Sequence, residues 1–305
     1  MVDTLEKLRK KLTSVSDLRT VVNTLKVLAA SKIVQYEMAV SSVSEYSLTV
    51  EQGLRACFRK LEFGDVEMDI NMYHCRRHAL EFRSAPVISP VLSMLVIGSD
   101  QGLVGQFNAE LARFVFTQAK SSSRRVWAVG ERVADELRNV GVDLVDVFEV
   151  PQSVEEIGVL VEAVLTKLPL LGFSPVVDNF SLIHQQIING VLVKPVLTEL
   201  LPLNKTWRDS LLRAPWPRAC VPDLLESPEA TLFALSREYL FSNVFRCGAV
   251  SMAAENAYRL AAMRRAEKKI DEMHVDMKLR FHQLRQTSID EELFDVVSGF
   301  EALAK

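Results

Sequence analysis

The stretch SDQGLVGQFN, Ser99 to Asn108, is the only Gly-rich segment placed where a phosphate could bind, after an apolar run and before a helical pattern. Backbone amides at the start of a helix receive anions there. The segment matches neither the P-loop nor the three-glycine dinucleotide fingerprint, and it has no Lys to meet a phosphate. The alternative is a tight strand-to-helix turn in which Gly102 and Gly105 relieve backbone strain. His74, Cys75 and His78 form the one cluster with metal-ligand types. With a fourth ligand from elsewhere they could hold zinc, but Arg76 and Arg77 between them repel a cation, which favours a solvated segment. No local grouping of Ser, His and Asp or of Cys and His suggests a nucleophile. These residues predict no catalytic group, no cofactor and no metal.

Charge is the next feature with chemical content. Basic residues concentrate at Lys7, Arg9, Lys10 and Lys11 near one end of the sequence and at Arg264, Arg265, Lys268 and Lys269 near the other. A charge run on a helix is ordinarily a solvated face. The functional alternative is two positive bands, brought together, that meet acidic loops of a surrounding partner; Lys7, Lys10, Arg264 and Lys268 are then the contact candidates. Overall, 36 basic side chains against 39 acidic ones argue for neither nucleic acid nor an anionic membrane surface. Four widely spaced cysteines with no Cys-x-x-Cys pair fit reduced thiols in the cytoplasm. The opening MVDTLEKLRKKL lacks the apolar core of a signal peptide. The most apolar run, Val87 to Gly98, is broken by Pro90 and falls short of the roughly 18 to 20 residues a membrane helix needs. A partner would have to hold this chain at a membrane.

Along the first part of the chain, apolar positions recur three or four apart at Leu5, Leu8, Leu12, Val15, Leu18, Val22, Leu25, Ala29, Ile33, Tyr36, Val40 and Val43. That spacing is a coiled-coil seam. Asp3 or Thr4 can cap its start, and neither Pro nor Gly intervenes before Gly53. A helix of about 50 residues would reach roughly 75 Å. A second long pattern opens at Ser227-Pro228, a cap followed by a first-turn proline. Its seam holds Leu260, Met263, Ala266, Ile270, Met273, Met277, Phe281 and Leu284, and only Gly248 interrupts it before Gly299. Shorter bundle helices with unseen kinks are the plain alternative.

Between the helices the pattern is α/β. Strands are expected at Pro86 to Gly98, Arg125 to Val129 and Val142 to Val147, with helices at Ala109 to Ala119, Arg132 to Asn139 and Val154 to Leu165. Val176 to Ile188 and Val191 to Leu201 read as strands joined by the hairpin dipeptide Asn189-Gly190. The predicted layout is an N-terminal coiled-coil helix (1–58), a connecting segment (59–85), a small Rossmann-like α/β domain (86–202), a Pro-rich loop (203–226) and a C-terminal coiled-coil helix (227–305). The two long helices return antiparallel and pair.

Four motifs then resemble one family, the gamma subunits of F-type rotary ATPases. VVNTLKVLAASKI, Val21 to Ile33, resembles the family's Thr-Lys-Ala-Met-Lys-Met-Val-Ala-Ala-x-Lys. SDQGLVGQFN is similar to Ser-Asp-Arg-Gly-Leu-Cys-Gly-x-Phe-Asn. AENAYRLAAM, Ala254 to Met263, and RQTSIDEELFDVVSGFEAL, Arg285 to Leu303, resemble the two C-terminal motifs, so the resemblance spans the chain in order. It departs from the family at Leu25, Gln101, Val104 and Asp290. This drift points to a divergent branch, the alternative and sodium-translocating F-type ATPases among them.

The resemblance implies a central rotor shaft that couples ion translocation to ATP synthesis or hydrolysis. Paired helices would stand inside a hexamer of alpha and beta subunits, with the α/β domain near the epsilon subunit and the membrane c-ring. It implies that nucleotide sites belong to the partners, that Arg285, Gln286 and Asp290 meet a beta subunit, and that Glu255 and Arg259 lie on the shaft. Two other readings remain: a coiled-coil scaffold unrelated to ATP, and an α/β nucleotide-binding enzyme. The last helix is expected to outrun the first by about 25 residues, or roughly 35 Å. Its end carries Ile289, Leu293, Phe294, Val296, Val297, Phe300 and Leu303 on more than one face. Val297 and Phe300 are therefore predicted contacts of an apolar sleeve formed by the surrounding subunits.

Overall fold

A computed structural model of the chain describes residues 5–63, 92–119, 124–170, 179–188, 192–201, 205–213, 216 and 223–303. Helix α1, Leu5–Phe63, runs 59 residues without a break. Its inward positions follow a strict seven-residue repeat, Leu8, Val15, Val22, Ala29, Tyr36, Val43 and Val50, all buried or half-buried. The last helix, α6, Pro228–Leu303, runs 76 residues. Ser227 caps it as the sequence predicts: its hydroxyl accepts the Ala230 amide at 3.2 Å and its carbonyl accepts the Thr231 amide at 3.0 Å. The chain divides into two compact units, Met1–Ser31 with Arg259–Lys305, and Lys32–Tyr258.

In the first unit the two long helices pair antiparallel. Leu8, Val15, Ala29 and Met263 are buried in the seam, while Lys26 reaches Glu267 at 2.7 Å and Arg19 reaches Asp271 at 2.9 Å. Two expected seam residues lie elsewhere, since Leu18 is 54% and Met273 40% exposed. The second row of α1 facing α6 is Leu5, Leu12 and Lys26, half-buried, with the exposed Arg19 at its edge, and that of α6 is Leu260, Glu267, His274 and Phe281. Charged and polar side chains lie beside the positions that apolarity alone would assign to Leu18 and Met273.

The second unit is built on a five-stranded sheet. In chain order its elements are β1 (Leu92–Ile97), α2 (Phe107–Ala119), β2 (Arg124–Val129), α3 (Glu131–Asn139), β3 (Leu144–Phe148), α4 (Val154–Leu170), β4 (Asn179–Ile188), β5 (Leu192–Leu201) and α5 (Lys205–Arg213). The spatial order is β3-β2-β1-β4-β5, with β5 antiparallel to β4 and the other pairings parallel. A parallel sheet must be covered on both faces. The period-2 alternation of the strands does this: Met94, Val96, Val126, Ala128 and Ile183 meet Leu111 and Val115 of α2 and Val133 and Leu137 of α3. Leu95, Ile97, Trp127, Phe180 and Leu182 face the other way, onto Ile157, Val161 and Val164 of α4, Val244, Cys247 and Met252 of α6, and Tyr36 of α1.

The observed strands and helices fall on the expected segments within a few residues. One expectation fails: Lys205–Arg213, read as loop among the prolines, is the helix α5, whose Leu211 and Leu212 pack with Val50, Leu54 and Phe58 of α1. Prolines at both flanks hid a nine-residue helix that contains none. Gly53 does not break α1; a Cβ there would lie 3.0 Å from Leu235 of α6, so the glycine leaves room for that side chain. His74, Cys75 and His78, the Asn189-Gly190 turn, the caps Asp3 and Thr4, and most of the segments 59–85 and 203–226 lie outside the described residues.

Charges placed in the seam test the pairing. Leu8→Asp and Met263→Asp are each expected to cost several kcal/mol as unpaired buried carboxylates. Leu18→Asp and Met273→Asp should stay within about 0.5 kcal/mol. Urea unfolding followed by circular dichroism separates the two classes; four equal effects would contradict the seam.

Candidate functional site

The Gly-rich segment is a turn whose polar groups are used by the fold. Asn108, buried at the start of α2, accepts the Ser99 amide at 3.1 Å and donates to the Ser99 hydroxyl at 3.1 Å. Asp100 accepts the Glu131 amide at the start of α3 and, with its other oxygen, the Val150 amide at 3.4 Å. A carboxylate therefore occupies the positive end of α3, beside the turn. Glu110 in the first turn of α2 accepts the Tyr258 hydroxyl at 2.7 Å. Burial, reinforced by that carboxylate, pushes the Tyr258 phenol up to about 12.

The backbone strain expected at the two glycines is distributed differently. Gly105 has φ +61°, but the other left-handed residue is Leu103 at +67°, a conformation that costs a leucine on the order of 1 kcal/mol. A tighter constraint precedes the motif, since a Cβ on Gly98 would lie 2.3 Å from Val133.

The buried titratable groups behave as core residues. Burial pushes the Cys247 thiol up to about 11 and raises that of Cys57, so both stay protonated and weakly nucleophilic. Burial, with Arg246 nearby, takes His184 down to about 4, which keeps its imidazole neutral.

On the paired helices the basic candidates are exposed, but they do not form one patch. Lys10 pairs with Glu6 at 3.1 Å, and Lys7, Arg264 and Lys268 point to solvent. The register set by Lys26–Glu267 and Arg19–Asp271 puts Lys7 and Lys10 level with about Phe281 to Leu284. That is about 16 residues, or roughly 24 Å, from Arg264 and Lys268. The expectation that the bands come together is corrected: they are two separate belts.

The same register puts Leu5 level with about Gln286, and every described side chain from Ile289 to Gly299 is exposed. The excess of α6 over α1 is 17 residues, roughly 26 Å. This is shorter than the expected 25 residues because α1 continues to Phe63. Arg285, Gln286 and Asp290 are exposed at the base of this bare end, and Val297 is exposed within it. Phe300 belongs to α6, with its side chain outside the described residues. Glu255 and Arg259 are buried.

Sequence reasoning missed two fastenings. Ser251 donates to the Ile97 carbonyl at 3.1 Å, and Tyr258 stacks edge-on against Phe107 with centroids 5.6 Å apart. The signal for the second was the acid-aromatic pair Glu110 and Tyr258, invisible at a separation of 148 residues.

The family model described as ATP synthase matches residues 4–303 of the chain. Among cryo-EM structures the chain is similar to one chain of the Euglena gracilis mitochondrial ATP synthase, OSCP/F1/c-ring, in rotational state 3. The TM-score is 0.60 at 14% identity, over 98% of this chain and 94% of that one. It is also similar to a chain of the rotor of the Euglena gracilis enzyme in rotational state 1, with TM-score 0.57 at 16% identity, over 93% and 98%. At these identities the likeness is one of fold.

Calorimetry with magnesium and ATP is expected to show no binding tighter than about 1 mM, because both helix starts beside the turn carry carboxylates. Asp100→Ala should cost about 1–2 kcal/mol in urea unfolding through the lost α3 cap and should not create ATP binding. Micromolar ATP affinity abolished by Gly105→Val would restore the nucleotide reading.

Proposed function

This chain belongs to the ATP synthase gamma-subunit family, and on that premise we propose how its parts do a rotor shaft's work. It is the central shaft of an F-type ATP synthase, part of a complex that couples ion translocation at a membrane to ATP synthesis or hydrolysis. The observation that supports the mechanical reading best is the antiparallel pair of unbroken helices ending in a bare apolar tip. Continuous backbone hydrogen bonding and a packed seam resist twisting, the property torque transmission requires.

The chain contributes shape and charge, and the chemistry belongs to the alpha and beta partners. Ion flow through the c-ring turns the shaft, and its asymmetric surface forces the catalytic sites through different conformations. The α/β unit meets the c-ring and the epsilon subunit. Arg285, Gln286 and Asp290, at the base of the tip, meet a beta-subunit loop; Asp290 stands where the family has Thr and only accepts hydrogen bonds when ionised. Lys7 and Lys10 form one belt facing acidic loops of the hexamer, and Arg264 and Lys268 form another. Ile289, Leu293, Phe294, Val296 and Val297 spread over roughly 160° of the helix circumference at 100° per residue. Such a surface suits an apolar sleeve in which no orientation is strongly favoured.

No helix among the described residues is long and apolar enough to cross a membrane. The chain is attached peripherally through its partners, on the cytoplasmic face, where thiols such as Cys57 and Cys247 remain reduced.

Assembly with purified alpha and beta subunits tests the reading. Phe294→Asp with Val297→Asp is expected to weaken assembly about tenfold or more, at least ~1.4 kcal/mol. The isolated chain should keep its helix content and melting, because both side chains are already in water. If the double variant unfolds the isolated chain yet assembles normally whenever folded, the tip packs on its own chain and the sleeve is wrong. A wild-type chain that binds neither subunit but pairs with itself would favour the scaffold reading.

A further inference from the structure

The sheet of the α/β unit ends at β3. Among the described residues this strand pairs only with β2, so its other edge has no partner strand. An open groove of about 610 Å³ runs beside it, walled by Leu144 to Val147 together with Glu131 and Arg138. Val145 is 45% exposed on this strand. An accessible edge of this kind is a template for pairing with another chain.

The backbone groups on that edge are accounted for residue by residue. The Phe148 carbonyl accepts the amide of Gly130, just past β2, at 2.9 Å. The N–H and C=O of one residue point to the same side and alternate along a strand, so those of Val147 point away from β2. The outward amide is not left open, since the Asp146 carboxylate accepts it at 2.9 Å. Asp146 is held in turn by Lys167 of α4, whose ammonium lies 4.6 Å from the Phe148 ring centroid. Lys167 and the Val147 amide hold the Asp146 carboxyl below the usual carboxylate range, so it stays ionised at neutral pH. The pairing of β2 with β3 also shifts register between Val126 and Trp127, an irregularity that bends the strand. Charged side chains and bulges are devices by which sheet edges avoid pairing. The opposite terminal strand, β5, has a different one: Pro195 sits mid-strand without an N–H.

We propose that Asp146, clamped by Lys167, closes the β3 edge against strand addition by a second copy of this chain. A second copy is the partner to exclude, because it brings an identical open edge whenever two chains meet. Two β3 strands running antiparallel about a two-fold axis need the Val147 amide as a ladder donor. The carboxylate already holds it. The device involves neither the tip nor the paired helices, so it stands or falls separately from the rotor reading.

The test compares the full chain with a double variant, Asp146→Ala with Lys167→Gln, which removes the cap and its clamp and leaves the net charge unchanged. Sedimentation velocity over a concentration series measures self-association. The double variant is expected to self-associate at least about tenfold more tightly than the parent. Adding Val145→Lys, a charge on the same edge, should return it to the parent value. The melting temperature should move by no more than about 4 °C, because Asp146 and Lys167 are both partly in water. Unchanged association in the double variant, or an increase that Val145→Lys does not reverse, would overturn the proposal. So would a double variant that loses its circular dichroism signal, because Asp146 would then be holding β3 in the fold.

Discussion

The register between α1 and α6 rests on an ion pair placed inside an apolar seam. Lys26 and Glu267 are each about three-quarters buried and 2.7 Å apart, and they occupy positions where the heptad pattern would otherwise put a leucine. Such a pair adds little net stability, because desolvation offsets most of the attraction. What it supplies is uniqueness: a slip of one heptad would take Lys26 from its carboxylate and set it opposite Leu260 or His274. Purely apolar seams tolerate such slips, and a single polar position suppresses them. A slip would move the bare end of α6 by about 10 Å and change which side chains the proposed sleeve would meet. The length of the tip and the spacing of the two basic belts follow from this choice.

In the other unit, groups that look chemically available in sequence are consumed by the fold. Asp100 joins the end of β1 to the start of α3 and to the approach to α4. Asn108 closes the turn from inside. A strand-turn-helix with two glycines has the outline of a phosphate site, yet Glu110 sits in the first turn of its helix and Asp100 caps the neighbouring α3. The sheet's second face is covered partly by α6, which puts Val244, Cys247 and Met252 into the core. A single helix thus serves as packing layer at 240–254 and as seam partner from Met263 onward.

Periodicity made the long helices, the α/β order and the antiparallel β4–β5 pair legible, since burial of apolar side chains dictates each of them. It misplaced Leu18 and Met273 because the rule selects the apolar neighbour when a charged residue occupies the seam. It also missed α5, whose nine residues are framed by prolines and contain too few apolar positions to show a period. In the turn, strain sits on Leu103 and Gly105 where Gly102 and Gly105 were expected, because backbone conformation is set by the closure around Asn108. Of the candidate contacts, Arg285, Gln286, Asp290 and the tip are proposed from motif and from helix length. Their exposure followed from the register, which ion pairs between residues some 240 positions apart determine. The cap of Asp146 on the Val147 amide gave no signal at all, since which strand ends the sheet is a matter of topology and not of local pattern.

Rotation measures the central claim most directly. With the alpha/beta hexamer fixed to a surface, a probe on a cysteine placed at the exposed Val159 of α4 should turn in one direction while ATP is hydrolysed. Removing ATP should stop it. Normal hydrolysis accompanied only by random wobble of the probe would contradict the account.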